Sequence, residues 1–265
     1  MVKIICAGFQ KTGTKSLSRA LEILGYKVYD AGEVYMYMRN TWMDFFKGKI
    51  TIEDVCREYD RQKVDVVVDG PANYFWEEMS KYWPDAKVIL TMRDNEDKWY
   101  ESIVKFYKGI VRWVGKLAYL GYLTPYGYLT EKHLTLPYHM LVFGNCNFHP
   151  LVQDFDNVNN ESIYKRKYRE HNAYVNRYCP KERLLVMNVK DGWAPLIKFL
   201  ELKQPDAEFP FRNKGGQVNE LMEDMMPAHT NRCKLEVGLV LVLIFLLPFA
   251  VSYYLNFIVQ SYKLQ

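Results

Sequence analysis

Gly8-Phe9-Gln10-Lys11-Thr12-Gly13-Thr14-Lys15-Ser16-Leu17 follows the apolar run at residues 3–7 and leads into a stretch with helical periodicity. A tight loop between a strand and a helix points successive backbone N–H groups inward, and the helix adds its positive N-terminal end, so such a loop cradles an anion. Gly8 and Gly13 permit the turn, Lys11 supplies a mobile charge, and Thr12, Thr14 and Ser16 supply hydroxyl donors. A loop for ATP or GTP would carry lysine directly after the second glycine; here Thr14 holds that place and Lys15-Ser16 comes one residue late.

The rest of the chain fits an α/β reading. Apolar runs bounded by turn residues recur at 64–68, 87–91 and 184–188, which predicts three further strands. Helical stretches at 14–24, 52–62, 74–82 and 193–200 alternate with them, predicting a mostly parallel sheet with helices on both faces and ligands beyond the carboxyl ends of the strands. Residues 109–150 break this rhythm. They are rich in Tyr, Leu and Gly and cut by Pro125, Pro137 and Pro150, and read as an insertion that lines an apolar acceptor pocket, lies on a membrane or packs on the core.

The net charge of +4, from 35 basic and 31 acidic residues, suits an acidic small molecule and is too mild for a nucleic-acid surface. Five scattered cysteines without C-x-x-C spacing indicate neither a zinc site nor a disulfide framework, and no secretory signal is evident before residue 8, so the globular part is expected in the cytosol. Residues 235–259 carry one charge, Glu236, and the uncharged part would extend about 35 Å as a helix, enough to span a bilayer. Arg232 and Lys234 before it, against Lys263 after it, place its N-terminal side in the cytosol, as in a tail anchor; the alternative is a buried core helix. The expected division is therefore an α/β domain over 1–213, a linker over 214–234 and the anchor over 235–259.

Gln10-Lys11-Thr12-Gly13-Thr14-Lys15 resembles the 5′-phosphosulfate loop of the sulfotransferase superfamily, in particular a divergent sulfotransferase-like group of invertebrates, fungi and bacteria, and the likeness extends over most of residues 1–213. Gln10 replaces the usual proline, and Ser16 stands where many members carry an adenine-stacking tryptophan. The resemblance implies a P-loop-like fold and 3′-phosphoadenylyl sulfate (PAPS) as sulfuryl donor. It also implies donor contacts from residues 10–16, a 3′-phosphate site at Arg93 and Ser102, and a further contact from Arg212, with no metal. Asp69-Gly70-Pro71, at the end of the run 64–68, matches the register of the family's base. Asp69 is thus the expected base, Lys11 the group that neutralises the leaving oxygen, and a small, lipophilic hydroxyl compound the expected acceptor. His133, His139 and His149 are reserve bases. The rival readings are a kinase or nucleotide hydrolase with Asp69 holding magnesium, and a non-catalytic membrane-anchored binding protein.

Overall fold

A computed structural model describes residues 1–122, 124–144, 161–211 and 227–263. Five strands, β1 Ile4–Cys6, β2 Val28–Tyr29, β3 Val66–Val67, β4 Lys87–Thr91 and β5 Leu184–Met187, form one sheet in the order β2-β3-β1-β4-β5. Every pairing is parallel, with Ile4 opposite both Val66 and Lys87. The central β1 is buried on both faces, which explains its unbroken apolar run.

Strand alternation splits the core in two. Ile5, Ala7, Val67, Val88 and Leu90 face one side and pack under α3 (Arg39–Phe46), α4 (Ile52–Arg61), α5 (Trp76–Tyr82) and α9 (Glu161–Tyr178). Ile4, Cys6, Val66, Ile89 and Met187 face the other, under α1 (Thr14–Ile23) and α10 (Trp193–Leu200). Each large apolar side chain buried in this way contributes about 1.5–3 kcal/mol.

Four predicted strands and four predicted helices are present within a few residues of their expected bounds. The edge strand β2 was beyond pattern reading, since two residues show no alternation. The insertion expected from residue 109 differs in its start: α6 runs unbroken over Glu96–Tyr122. Pro125 then opens α7 (Pro125–Thr130), with Thr124 capping it by accepting from Gly127 N–H at 3.2 Å. A π-helical turn, Glu131–Thr135, leads without interruption into α8 (Leu136–Phe143). A second π turn, Val34–Met38, joins the short α2 (Ala31–Glu33) to α3. A third cluster, with Phe9 of the loop among Trp99, Ile103, Tyr107, Tyr138, Val142, Phe143, Tyr164 and Tyr168, seats α6, α8 and α9 as a helical cap over the strand ends.

The last helix, α11 (Pro227–Lys263), already covers residues 227–234, the described part of the expected linker. Its stretch Asn231–Ser261 has a mean hydropathy of 2.5 over its most apolar window, of which 6% is buried. A soluble core helix would be buried, so α11 is a candidate membrane span.

Candidate active site

The loop after β1 ends on Gly13, whose φ of 107° lies in the left-handed region and whose missing side chain makes room for Val189; a Cβ there would lie 2.6 Å from both Val189 methyl groups. Gly13 is the N-cap of α1 and offers no side chain to the first-turn N–H groups. Leu17 N–H returns to Gly13 O at 3.0 Å, the first backbone bond of the helix, and the N–H groups before it have no carbonyl one turn back within the helix. No acidic residue occupies that first turn. The end of α1 therefore presents donors and a partial positive charge at the carboxyl end of the central strand.

The loop side chains divide by role. Thr12 is fully buried, its hydroxyl 2.6 Å from both Phe9 O and Thr91 Oγ1, so it pins the loop to β4. Gln10 faces the cap: its Oε1 is 3.2 Å from the Tyr138 hydroxyl and its Nε2 donates toward Tyr107 at 3.4 Å. Thr14 donates to Asp69 Oδ2 at 3.3 Å. Lys15 is paired with the buried Asp30, which also accepts from Ser18 at 3.0 Å. Ser16 is buried in the first turn of α1.

Lys11 has a left-handed φ of 67°, and its ammonium sits 4.7 Å from the centre of the Phe106 ring. Burial lowers its pKa to about 8, against the pull of Asp69, with the charges of Arg93, Lys15 and Lys105 acting in the same downward direction. An incoming anion would favour the charged form of Lys11 against this burial and repulsion. Asp69, also at a left-handed φ of 65°, stands two residues past β3, and its backbone neighbour Gly70 N–H donates to its Oδ1 at 2.9 Å. Burial raises the Asp69 pKa above the usual carboxylate range, opposed by the charge of Lys15 and by the Gly70 and Thr14 hydrogen bonds. The Gly70–Pro71 peptide is cis.

Among the other predicted residues, Arg93 stands two residues past β4, held by its N–H donating to the Tyr168 hydroxyl at 3.0 Å. Ser102 is half-buried on α6, and Lys105, one turn further on the same helix, acts on Lys11. Lys105 was legible from its i+3 spacing to Ser102. Arg212 and His149 lie outside the described residues. His139 meets the Tyr107 hydroxyl at 3.1 Å, and His133 is half-buried beside lysines. Among the described residues no three His, Cys, Asp or Glu side chains gather as a metal-ligand group.

Three features have no counterpart in the sequence reading. Tyr138 lies against Gly70, where a Cβ would meet its ring at 2.1 Å, and its hydroxyl is 3.0 Å from Asn73 Oδ1, which ties α8 to the end of β3. Tyr35 and Glu131, one on each π turn, join this group: Tyr35 OH is 3.1 Å from Thr135 Oγ1, and burial raises Glu131 to about 7. The charge of Asp69 acts on Tyr35, Tyr107 and Tyr138, which adds to the burial that raises all three phenols. Behind the loop, His171 of α9 donates from Nε2 to Ala7 O at 2.7 Å and stacks on Phe9 at 4.0 Å; burial lowers its pKa to about 4, keeping it neutral.

A parallel sheet that presents an uncapped helix end, convergent cations and a buried carboxylate beside its central strand defines a protein built to hold and act on an anionic group. The chain belongs to the sulfotransferase family: the family's sulfotransferase domain matches residues 3–218. It is also similar to Ava biosynthesis cluster protein M of Aspergillus versicolor, with 26% identity over 218 residues that cover 79% of this chain and 80% of that protein.

Proposed function

We propose that the protein moves a sulfuryl group from PAPS to a hydroxyl of a small, lipophilic acceptor. The observation that carries this reading is the N-terminus of α1, with no side-chain cap, whose first residue Thr14 meets Asp69 at 3.3 Å and whose preceding loop carries the buried Lys11. The 5′-phosphosulfate would rest on the N–H groups of Gly13, Thr14, Lys15 and Ser16, with Gln10 and Thr12 fixing the loop. Lys15, paired with Asp30, would contribute through its backbone N–H. Arg93, Ser102 and Arg212 would hold the 3′-phosphate.

Asp69 would take the acceptor's proton as that oxygen attacks sulfur, and the bond from sulfur to the bridging oxygen would break as Lys11 neutralises the charge left on the phosphate. The raised pKa of Asp69 makes it a stronger base than an exposed carboxylate. A sulfuryl group carries less negative charge than a phosphoryl group, so the nucleophile meets less repulsion and magnesium is dispensable. Tyr35, Tyr107 and Tyr138, on which the charge of Asp69 acts, suit an apolar acceptor with one polar end. In this reading residues 1–213 form the catalytic domain facing the cytosol, 214–234 connect it, and 235–259 anchor it in a membrane.

Calorimetric titration of the full chain with 3′-phosphoadenosine 5′-phosphate and, separately, with ATP and magnesium tests the donor. Tight binding of the first and little of the second is expected. The reverse order would favour a kinase, with Thr14 and Asp69, 3.3 Å apart, as magnesium ligands.

A further inference from the structure

Residues 125–143 form one continuous helical rod through α7, the π turn and α8. Its inward stripe, Gly127, Thr130, Glu131, Leu134, Tyr138 and Val142, is buried and faces the cap and the Asp69 group. The exposed positions of the rod are mostly apolar, with Lys132 among them. Tyr128 is 50% exposed and Leu129 40%, and the exposed set continues to Met140 and Leu141. A helix apolar on both sides needs a second apolar medium.

The position of α11 says which medium. Its first turns are fixed to α7: Glu236 Oε2 accepts from Tyr126 N–H at 2.9 Å, Arg232 donates to Glu236 Oε1 at 2.9 Å, and Val237 is buried. Arg39 binds the same place from α3, donating to Tyr126 O at 3.0 Å and Thr130 Oγ1 at 2.6 Å. Leu239, exposed and apolar, follows about 5 Å further along the α11 axis from Glu236. The lipid-facing part of α11 therefore starts beside α7, and Tyr128 and Leu129 stand at that level. The charge there is net positive and complementary to an anionic surface: Lys132 reaches over the Tyr128 ring at 5.4 Å, and Lys47 and Lys49, which share the single carboxylate of Asp44 at 3.7 and 3.6 Å, act with it on His133.

Resting on the reading of α11 as a membrane span, we propose that the outward stripe of the 125–143 rod, beginning at Tyr128 and Leu129, is a second membrane contact that seats the acceptor side of the enzyme on an anionic bilayer. The rod that closes over Asp69 is then itself an interfacial element. A lipophilic acceptor would approach along the lipid surface.

The full chain reconstituted into phosphatidylcholine vesicles, with or without phosphatidylserine, and containing a lipid with a photoactivatable acyl chain near the headgroup, reads this directly by mapping cross-linked peptides. Adducts are expected on α11 and also at Tyr128 and Leu129, the second set increasing with phosphatidylserine. The double variant Tyr128→Asp, Leu129→Asp changes only exposed positions and should lose the second set while keeping the first. Adducts on α11 with none at Tyr128 and Leu129 in the unmodified chain would overturn the inference and leave the span standing. Absence of adducts on α11 would overturn the span and the inference with it.

Discussion

The donor loop and the helical cap hold their polar groups in opposite ways. In the proposed reading the loop would offer the backbone N–H groups of Gly13 to Ser16, with Lys11 three residues before Thr14, so that nearly everything facing the anion would come from one short stretch after β1. In the cap, Tyr35, Tyr107, Glu131 and Tyr138 lie far apart in the chain and are joined by tertiary contacts, such as Tyr35 OH to Thr135 Oγ1 and Tyr138 against Gly70. Backbone donors are indifferent to side-chain identity, whereas the cap is made of side chains whose shape and polarity any substitution alters. The difference teaches that donor binding and acceptor binding should be separable by mutation.

The strongest way to break that separation is at Gly13. Gly13→Val places a branched side chain at a φ of 107° and against Val189, so binding of 3′-phosphoadenosine 5′-phosphate should be lost in calorimetry with the fold retained by circular dichroism. Normal binding would remove the loop from the donor site. Lys11 comes next. Its pKa of about 8 means the ammonium is present below that pH and lost above it, so kcat/KM should fall on the alkaline side near pH 8. Lys11→Arg stays protonated and should move that limb upward by more than one unit; an unmoved limb would assign it to another group.

Glu131 sharpens the cap side. Burial raises its folded pKa from 4.5 to about 7, so the folded state holds its proton more tightly than the unfolded chain does. Its contribution is fully present below pH 4.5 and is lost as pH rises through 7, by up to about 3 kcal/mol. Glu131→Gln should flatten the fall in melting temperature between pH 5 and 8 while leaving donor affinity unchanged. The smallest effect belongs to Tyr138→Phe, which removes the hydroxyl near Gln10 and Asn73 and should cost about 1–3 kcal/mol of stability, with a larger change in acceptor KM than in donor affinity.

The same contrast explains what the sequence made legible. A glycine-hydroxyl-lysine loop after an apolar run is a local signal; in the structure Thr14 of that loop meets Asp69 through a direct hydrogen bond, and the charge of Asp69 acts on Lys11. Strands β1, β3, β4 and β5 were readable because each is apolar and bounded by turn residues. The cap was not, because Tyr35 and Glu131 sit on π turns, where one extra residue per turn shifts the helical pattern, and Tyr138 reaches Gly70 from 68 positions away. Lys15 was expected as one of the donor contacts; its partner Asp30 lies 15 residues on, beyond any local pattern.

Transfer of labelled sulfuryl from PAPS to a panel of lipophilic alcohols, measured for Asp69→Asn beside its binding of 3′-phosphoadenosine 5′-phosphate, tests the assignment of chemistry to the group between β3 and α1 most directly. The expected result is unaltered nucleotide affinity with transfer reduced roughly 10²–10⁴-fold. An Asp69→Asn enzyme that keeps most of its transfer rate would contradict it.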